Sequence, residues 1–337
     1  MAAPATPSRT LPRSNFHNAN AATNTPPSIA PNADSTVASP AYQQNEHFKH
    51  PDHAIPPPDY TTYRNLVIVC CHAIFHPDAS SPEFPLYSPH DEKNWHLADF
   101  QKSNPDTGKP GEQETFLAHT LAGIDAVIGE SSPDVPNRTL LVMSGGATKL
   151  SLTALSEGRS YYHAALAHEL ARGNRGGGRT HQFFSEGRIL LEEHATDSFQ
   201  NLLFSIVLFR QTTGRYPKQI KVITHAFKAR RFLDLHAPAI RWPSGRIQVQ
   251  GIDPVMSGAE REQTIEGEEK HGITTWLQDP LGIDHVLAGK RINRGWDEQV
   301  AEQLVEGLED SVKELVMGTV PGHLPWESTV VQDENMQ

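Results

Sequence analysis

The chain has 337 residues, of which 37% are hydrophobic, and a formal charge of −11 at pH 7. An acidic balance of that size argues against a nucleic-acid partner, because phosphate neutralisation needs a clustered positive surface. Only Cys70 and Cys71 are present, adjacent to one another, which excludes a disulfide framework, and with no apolar run of about eighteen residues no membrane span is expected.

Residues 1–62 read as a disordered tail. They are rich in Ala, Pro, Ser, Thr and Asn, and such a segment cannot bury enough apolar surface to offset the entropy of ordering. The tail lacks a signal-peptide core, but Arg9 and Arg13 precede the first acid, Asp34. The expected compartment is cytoplasmic, with mitochondrial as the alternative. A single α/β domain over residues 63–325 and a short disordered end at 326–337 complete the expected organisation.

The run Leu66-Val67-Ile68-Val69-Cys70-Cys71 predicts a parallel strand covered on both faces. A long polar, proline-rich insertion follows through Gly111. Its place after a strand puts it over the carboxyl edge, as a lid or a plain insertion. Residues 112–128 predict a crossover helix, with Phe116, Leu117, Leu121, Ile124 and Ile128 at three- and four-residue spacing. A second strand from Thr139 ends in the turn Ser144-Gly145-Gly146, and a helix opens near Ser156 and runs to Ala171. The glycine-rich stretch 173–179 follows a helix rather than a strand, so it reads as a linker and not a phosphate cradle. A third strand, 188–193, leads through the capping residues Thr196, Asp197 and Ser198 into an apolar helix over 199–211. A fourth strand, 219–224, runs into an expected helix start at 225–231. A fifth strand at 246–252 and one amphipathic helix over 296–317 close the pattern. Alternation of this kind implies right-handed crossovers and a parallel sheet.

Three strand ends meet on one edge of such a sheet, so Ser144-Gly145-Gly146, Glu192-Glu193 with Asp197, and Thr224-His225 with Lys228 and Arg231 share a crevice. Backbone N–H groups at a glycine turn favour anions, and Lys228 and Arg231 would add positive charge. The expected ligand is therefore a small anionic molecule. Glu192 could accept ribose hydroxyls or act as a base, with Glu193 pointing to the other side of the strand. His225 is a candidate acid or base, weighed against a packed or capping histidine. The hydrolase pattern Gly-x-Ser-x-Gly fails at Val142, yet Ser144, His225 and Asp197 could form a triad by geometry. No metal is expected, since no His-x-x-x-His pair flanks a glutamate. The alternative to a ligand-binding role is a non-catalytic interaction protein. It would recruit partners through its tail and the acidic final helix, with Glu302, Glu306, Glu309, Asp310 and Glu314.

Several segments carry a resemblance. Ser144-Gly145-Gly146 matches a Ser-Gly-Gly turn after a second strand, and Glu157 stands where the next helix commonly has a glutamate, with Gly158 in place of alanine. The segment 191–201 is similar to Glu-x-x-Ser-x-Asn-Thr-x-Glu-Asn: Glu192 and Asn201 are retained, Asp197 and Ser198 are near-equivalents, and Ala195 and Gln200 depart. Residues 224–231 resemble Thr-x-x-Phe-His-x-x-Arg, with Phe227 and Arg231 matching and Lys228 replacing the histidine. Cys70-Cys71-His72 departs, standing where many relatives place glycines. In order and spacing, residues 66–252 resemble the YdcF/SanA/ElyC-like family, the domain of unknown function 218. The resemblance implies a Rossmann-like three-layer α/β/α sandwich with a mostly parallel sheet of five or slightly more strands. It also implies a pocket at the sheet edge and, for the YdcF branch, binding of S-adenosylmethionine or a related adenosyl or nucleotide-like ligand. Carried over by position, the binding set is Ser144, Gly145, Gly146, Glu157, Glu192, Asp197, Asn201, Thr224, Lys228 and Arg231, with His225 and Glu192 as catalytic candidates.

Overall fold

The computed structural model describes residues 58–76, 87–128 and 139–327. In chain order, β1 (Asn65–Cys70) is followed by a short antiparallel pair, β2 (Ile74–Phe75) and β3 (Trp95–His96). Next come α1 (Gln113–Ile128), β4 (Thr139–Ser144), α2 (Glu157–Ala171), α3 (Gly178–Ser185), β5 (Ile189–Glu192), α4 (Ser198–Thr213), β6 (Gln219–Thr224) and β7 (Ile247–Gly251). A helical tail follows: α5 (Gly258–Glu268), α6 (Thr274–Gln278), α7 (His285–Asn293), α8 (Glu298–Leu304) and α9 (Asp310–Val316).

Five strands form one all-parallel sheet in the order β5-β4-β1-β6-β7. Strand alternation divides the core in two. Leu66, Ile68, Leu140 and Val142 face α4 residues such as Leu202 and Ile206, together with Val312, Leu315 and Trp326 near the chain end. Val67, Val69, Leu141 and Met143 face Phe116 and Ile124 of α1 and Tyr161 of α2. β1 is apolar throughout because both of its faces are covered, and truncating Ile68 to alanine is worth roughly 2–5 kcal/mol on that ground. The architecture is a Rossmann-like three-layer α/β/α sandwich. Its strand order reverses between β1 and β6, and in open α/β sheets the ligand crevice lies at the carboxyl ends flanking such a reversal.

Several local expectations shift. The segment after the 173–179 loop is helical, as α3, with Gly177 at φ 77° as its left-handed cap. The expected helix start after β6 is a 3-10 turn over Ala226–Lys228 followed by a π-helix over Arg231–His236, so Lys228 and Arg231 do not sit on one regular helical face. The single final helix is two helices, α8 and α9, broken where Gly307 adopts φ 74°. Its acidic face is interrupted with it, and Glu309 turns inward to Arg210 and Tyr216. The domain also runs past Pro325, because Trp326 is buried against Trp242 and Tyr216. At the other end Tyr60 already packs on the core, so order begins before Tyr63. The rest of the expected N-terminal tail, residues 1–57, and residues 328–337 lie outside the described residues, as does the 77–86 part of the insertion.

Candidate functional site at the reversal of strand order

β1 and β6 run side by side, and the residues leaving them are His72 and Thr224-His225. Cys71 extends the β1 ladder by one bond to Ser144 O (2.9 Å), and His72 then turns into the crevice with its N–H on Tyr161 Oη. Its ring bridges two elements: Nε2 lies 3.1 Å from Thr224 Oγ1 and Nδ1 lies 3.4 Å from Lys228 Nζ. His225 stacks on His72 with ring centroids 4.6 Å apart, and His119 of α1 meets His225 edge-on at 5.0 Å. His119 Nε2 donates to Ile252 O at 2.8 Å, which leaves Nδ1 as an unpartnered acceptor. Neither ring nitrogen of His225 has a hydrogen-bond partner among the described residues, and Glu112 Oε2 lies 3.9 Å from Nε2.

Burial dominates the electrostatics. It holds the His72 and His225 imidazoles well below their ordinary range and His119 at about 4, with Lys228 adding to each depression. Burial also lowers the Lys228 ammonium to about 8, aided by Arg231. Glu112, pushed up by burial, is tied to Lys109 Nζ at 3.2 Å. Three neutral imidazoles thus stand together, one of them against an inward-turned ammonium that has no carboxylate within ion-pairing distance among the described residues. The insertion closes this arrangement from above: Gln101 Nε2 donates to His72 O and Glu112 N–H donates to Gln101 O. Trp95 packs against Phe75, Phe116 and Tyr161, anchoring the insertion to the domain.

The Ser144 turn is built differently. Ser144 and Glu192 are register partners at the ends of β4 and β5, and Ser144 Oγ donates to Glu192 Oε2 at 2.5 Å. Glu192 Oε1 accepts the N–H groups of His194 and Ala195. Burial nevertheless raises this carboxyl to about 7, against the lowering effect of those bonds. Gly145 N–H donates to Glu192 O and Gly146 N–H to Ala195 O, while the two glycine carbonyls accept from Gly158 and Glu157. The expected anion cradle is therefore corrected, because its N–H groups are used inside the protein. The glycines serve close approach: a Cβ at Gly146 would lie 3.0 Å from Ala195 O, and one at Gly145 2.9 Å from Glu157 Cβ. Gly158 obeys the same constraint, since its Cβ would meet Met143 O at 2.6 Å.

The other expected anchors are likewise engaged. Arg231 forms a two-pronged pair with Glu268 and reaches Ser198 Oγ, so its guanidinium is not an open anion site. Asp197 caps α4 through Gln200 N–H and pairs with Arg291 Nε at 2.6 Å. Glu193 is held by Arg159 and Ser156. Asn201 is buried, its carbonyl 3.5 Å from Ser144 Oγ. Glu157 is buried with Thr148 Oγ1 on its carboxylate at 2.5 Å, and burial raises its pKa. The Ser144, His225 and Asp197 triad does not form, because each member bonds or stacks with a different group. Thr224, His225 and Lys228 do come together, joined by His72, His119 and Glu112, which the sequence reading did not select. The signal for His72 was present, since it follows β1 as His225 follows β6; His119 and Glu112 gave none beyond their place in a helical stretch.

A cavity of about 180 Å³ lies beside the glycine turn, lined by Ala147, Glu193, His194, Arg294 and Trp296 among others, rather than at the histidine cluster. We weight the histidine cluster above it, because the carboxylates of that cavity are engaged, Glu193 with Arg159 and Asp297 with the Gln299 N–H, whereas the cluster holds groups without hydrogen-bond partners among the described residues. No group of three or more His, Cys, Asp or Glu side chains is arranged to hold a metal among the described residues, and none of their helices is long and apolar enough to cross a membrane.

Fold and site define an α/β protein with a closed polar cluster at the reversal of its strand order. Over 313 aligned residues the chain is 26% identical to the uncharacterized protein YOR238W of Saccharomyces cerevisiae, the alignment covering 78% of this chain and 97% of that protein. No family model and no solved structure matches the chain.

Proposed function

We propose that the protein binds the anionic group of a small organic molecule in the crevice between the ends of β1 and β6, with Lys228 as counter-ion and His225 as a hydrogen-bond donor. The observation that carries this reading is the Lys228 ammonium, turned inward onto His72 with no carboxylate partner among the described residues. A buried ammonium left without an anion is costly, and a bound phosphate or carboxylate would remove that cost. Of the family-derived ligands, an adenosyl or nucleotide-like molecule is the class we propose, its anionic group, a phosphate or the carboxylate of the otherwise cationic S-adenosylmethionine, lying toward Lys228. His225, with both ring nitrogens free of hydrogen bonds among the described residues, is the group we propose to move a proton on the bound molecule.

Calorimetry and thermal-shift titration against S-adenosylmethionine, nucleotides and inorganic phosphate, with mass spectrometry of any molecule retained through purification, test the reading. Lys228→Met is expected to weaken binding by about 1.5–3 kcal/mol, the value of a charge-assisted contact. Absence of any thermal shift at millimolar probe, with no retained molecule, would end it. Deleting residues 1–57 is expected to leave binding intact, whereas a partner-recruiting role for the tail predicts loss of partners.

A further inference from the structure

On the outer side of the insertion, three polar side chains from three segments meet. His90 belongs to the insertion, Glu114 to the first turn of α1 and His168 to the last turn of α2. His90 Nδ1 lies 3.0 Å from both carboxylate oxygens of Glu114, and His90 Nε2 lies 3.1 Å from His168 Nδ1. A carboxylate on one ring nitrogen fixes the tautomer and leaves the other nitrogen as a lone-pair donor, the arrangement that orients metal-binding histidines. Two imidazole nitrogens 3.1 Å apart, each at a zinc–nitrogen distance of about 2.05 Å, subtend roughly 100° at the metal, near the tetrahedral angle. His90 and Glu114 are both about half exposed, so water can fill the remaining positions.

We propose that His90 Nε2 and His168 Nδ1 chelate a divalent transition-metal ion, zinc in the first instance, with Glu114 orienting His90. The ion would join the insertion to α2. The inference does not rest on the ligand proposed for the crevice, but it bears on access to it. The same insertion covers the histidine cluster through Gln101, which bonds His72 O and the Glu112 N–H, and Trp95 Nε1 ties it back to Pro89 O, the residue before His90. A metal at His90 and His168 would hold that cover shut.

The competing account is a plain imidazole–imidazole hydrogen bond, which the same distance allows. Zinc titration of the full chain, freed of metal by chelation, distinguishes the two. Because His17, His47, His50 and His53 can bind zinc outside this site, the readout is the difference between the wild type and His90→Asn or His168→Asn. Hydrogen exchange of residues 87–101 is followed with and without zinc. The expected result is one zinc equivalent lost in each variant, and zinc-dependent protection of residues 87–101 in the wild type only. Glu114→Gln should bind about tenfold more weakly, as loss of an orienting carboxylate does. Identical titrations for wild type and both variants, loss in only one variant, or exchange of residues 87–101 that zinc does not change would each overturn the proposal.

Discussion

At the ends of β4 and β5 the acidic side chains have found partners: Glu192 accepts three hydrogen bonds, Glu193 holds Arg159, and Asp197 holds Arg291. At the ends of the neighbouring strands β1 and β6, Lys228 meets an imidazole and an aromatic ring but no carboxylate, and His225 has no hydrogen-bond partner at either nitrogen, among the described residues. The residue types are similar, yet one region is complete without a ligand and the other is not. A carboxylate or guanidinium at a sheet edge is thus no evidence of a binding site until its partners are counted. The unsatisfied group, rather than the charged one, marks where a ligand belongs.

The sharpest break of this contrast comes from removing one member of a satisfied pair. Arg291 is 8% exposed and pairs with Asp197 while donating to Leu281 O. Arg291→Ala strands that carboxylate and is expected to lower unfolding free energy by about 3–5 kcal/mol. Chemical denaturation measures it, and a loss under 1 kcal/mol would show that the β5 end is not held in the way described.

Acid should act on the unsatisfied region next. His119 titrates near 4 when folded and near 6.5 when unfolded. Between those values the unfolded chain binds the extra proton, so stability is lost as pH falls through that window, by about 3 kcal/mol for His119 alone. His72, His225 and His236, all held well below their ordinary range by burial, act with the same sign. Glu192 acts with the opposite sign: its carboxyl titrates near 7 when folded against 4.5 unfolded, so it adds stability as pH falls between those values. The four histidines outweigh it. Melting temperatures from pH 7 to 5 should therefore decline, and a flat profile would mean that the imidazoles are not desolvated.

The sheet and the first core were legible in the sequence because continuous apolar runs such as Leu66–Val69 have few other uses in a chain of this composition. The convergence of Thr224, His225 and Lys228 was legible for the same reason, as it needed only the parallel order. The roles of Gly145, Arg231 and Asp197 were not. Their partners Glu192, Glu268 and Arg291 lie up to 94 residues away, and no local pattern announces that a guanidinium or N–H is already taken. His119 was hidden for a related reason. Its helix was plain from periodicity, but which residue of that helix lies over the β1–β6 boundary is fixed by packing.

The two regions part most informatively at Lys228, where the effect is smaller and its sign is reversed. Folding carries its ammonium from a normal value of 10.5 to about 8, which is a destabilising shift, so replacing it by methionine should leave the ligand-free protein more stable. The gain is about 1–2 kcal/mol once lost packing of the lysine stem is allowed for, in contrast to the large loss expected for Arg291→Ala. Methionine keeps most of the stem and removes the charge together with the Nζ contact to His72. The prediction therefore isolates the ammonium from the His72–Thr224 contact beside it. Thermal denaturation of the two variants side by side decides the matter. If Lys228→Met destabilises as Arg291→Ala does, the lysine has an internal counter-charge and is as complete as its neighbours. If it stabilises the free protein while weakening ligand binding, the ammonium is maintained against the folding energy for an anion that comes from outside the chain.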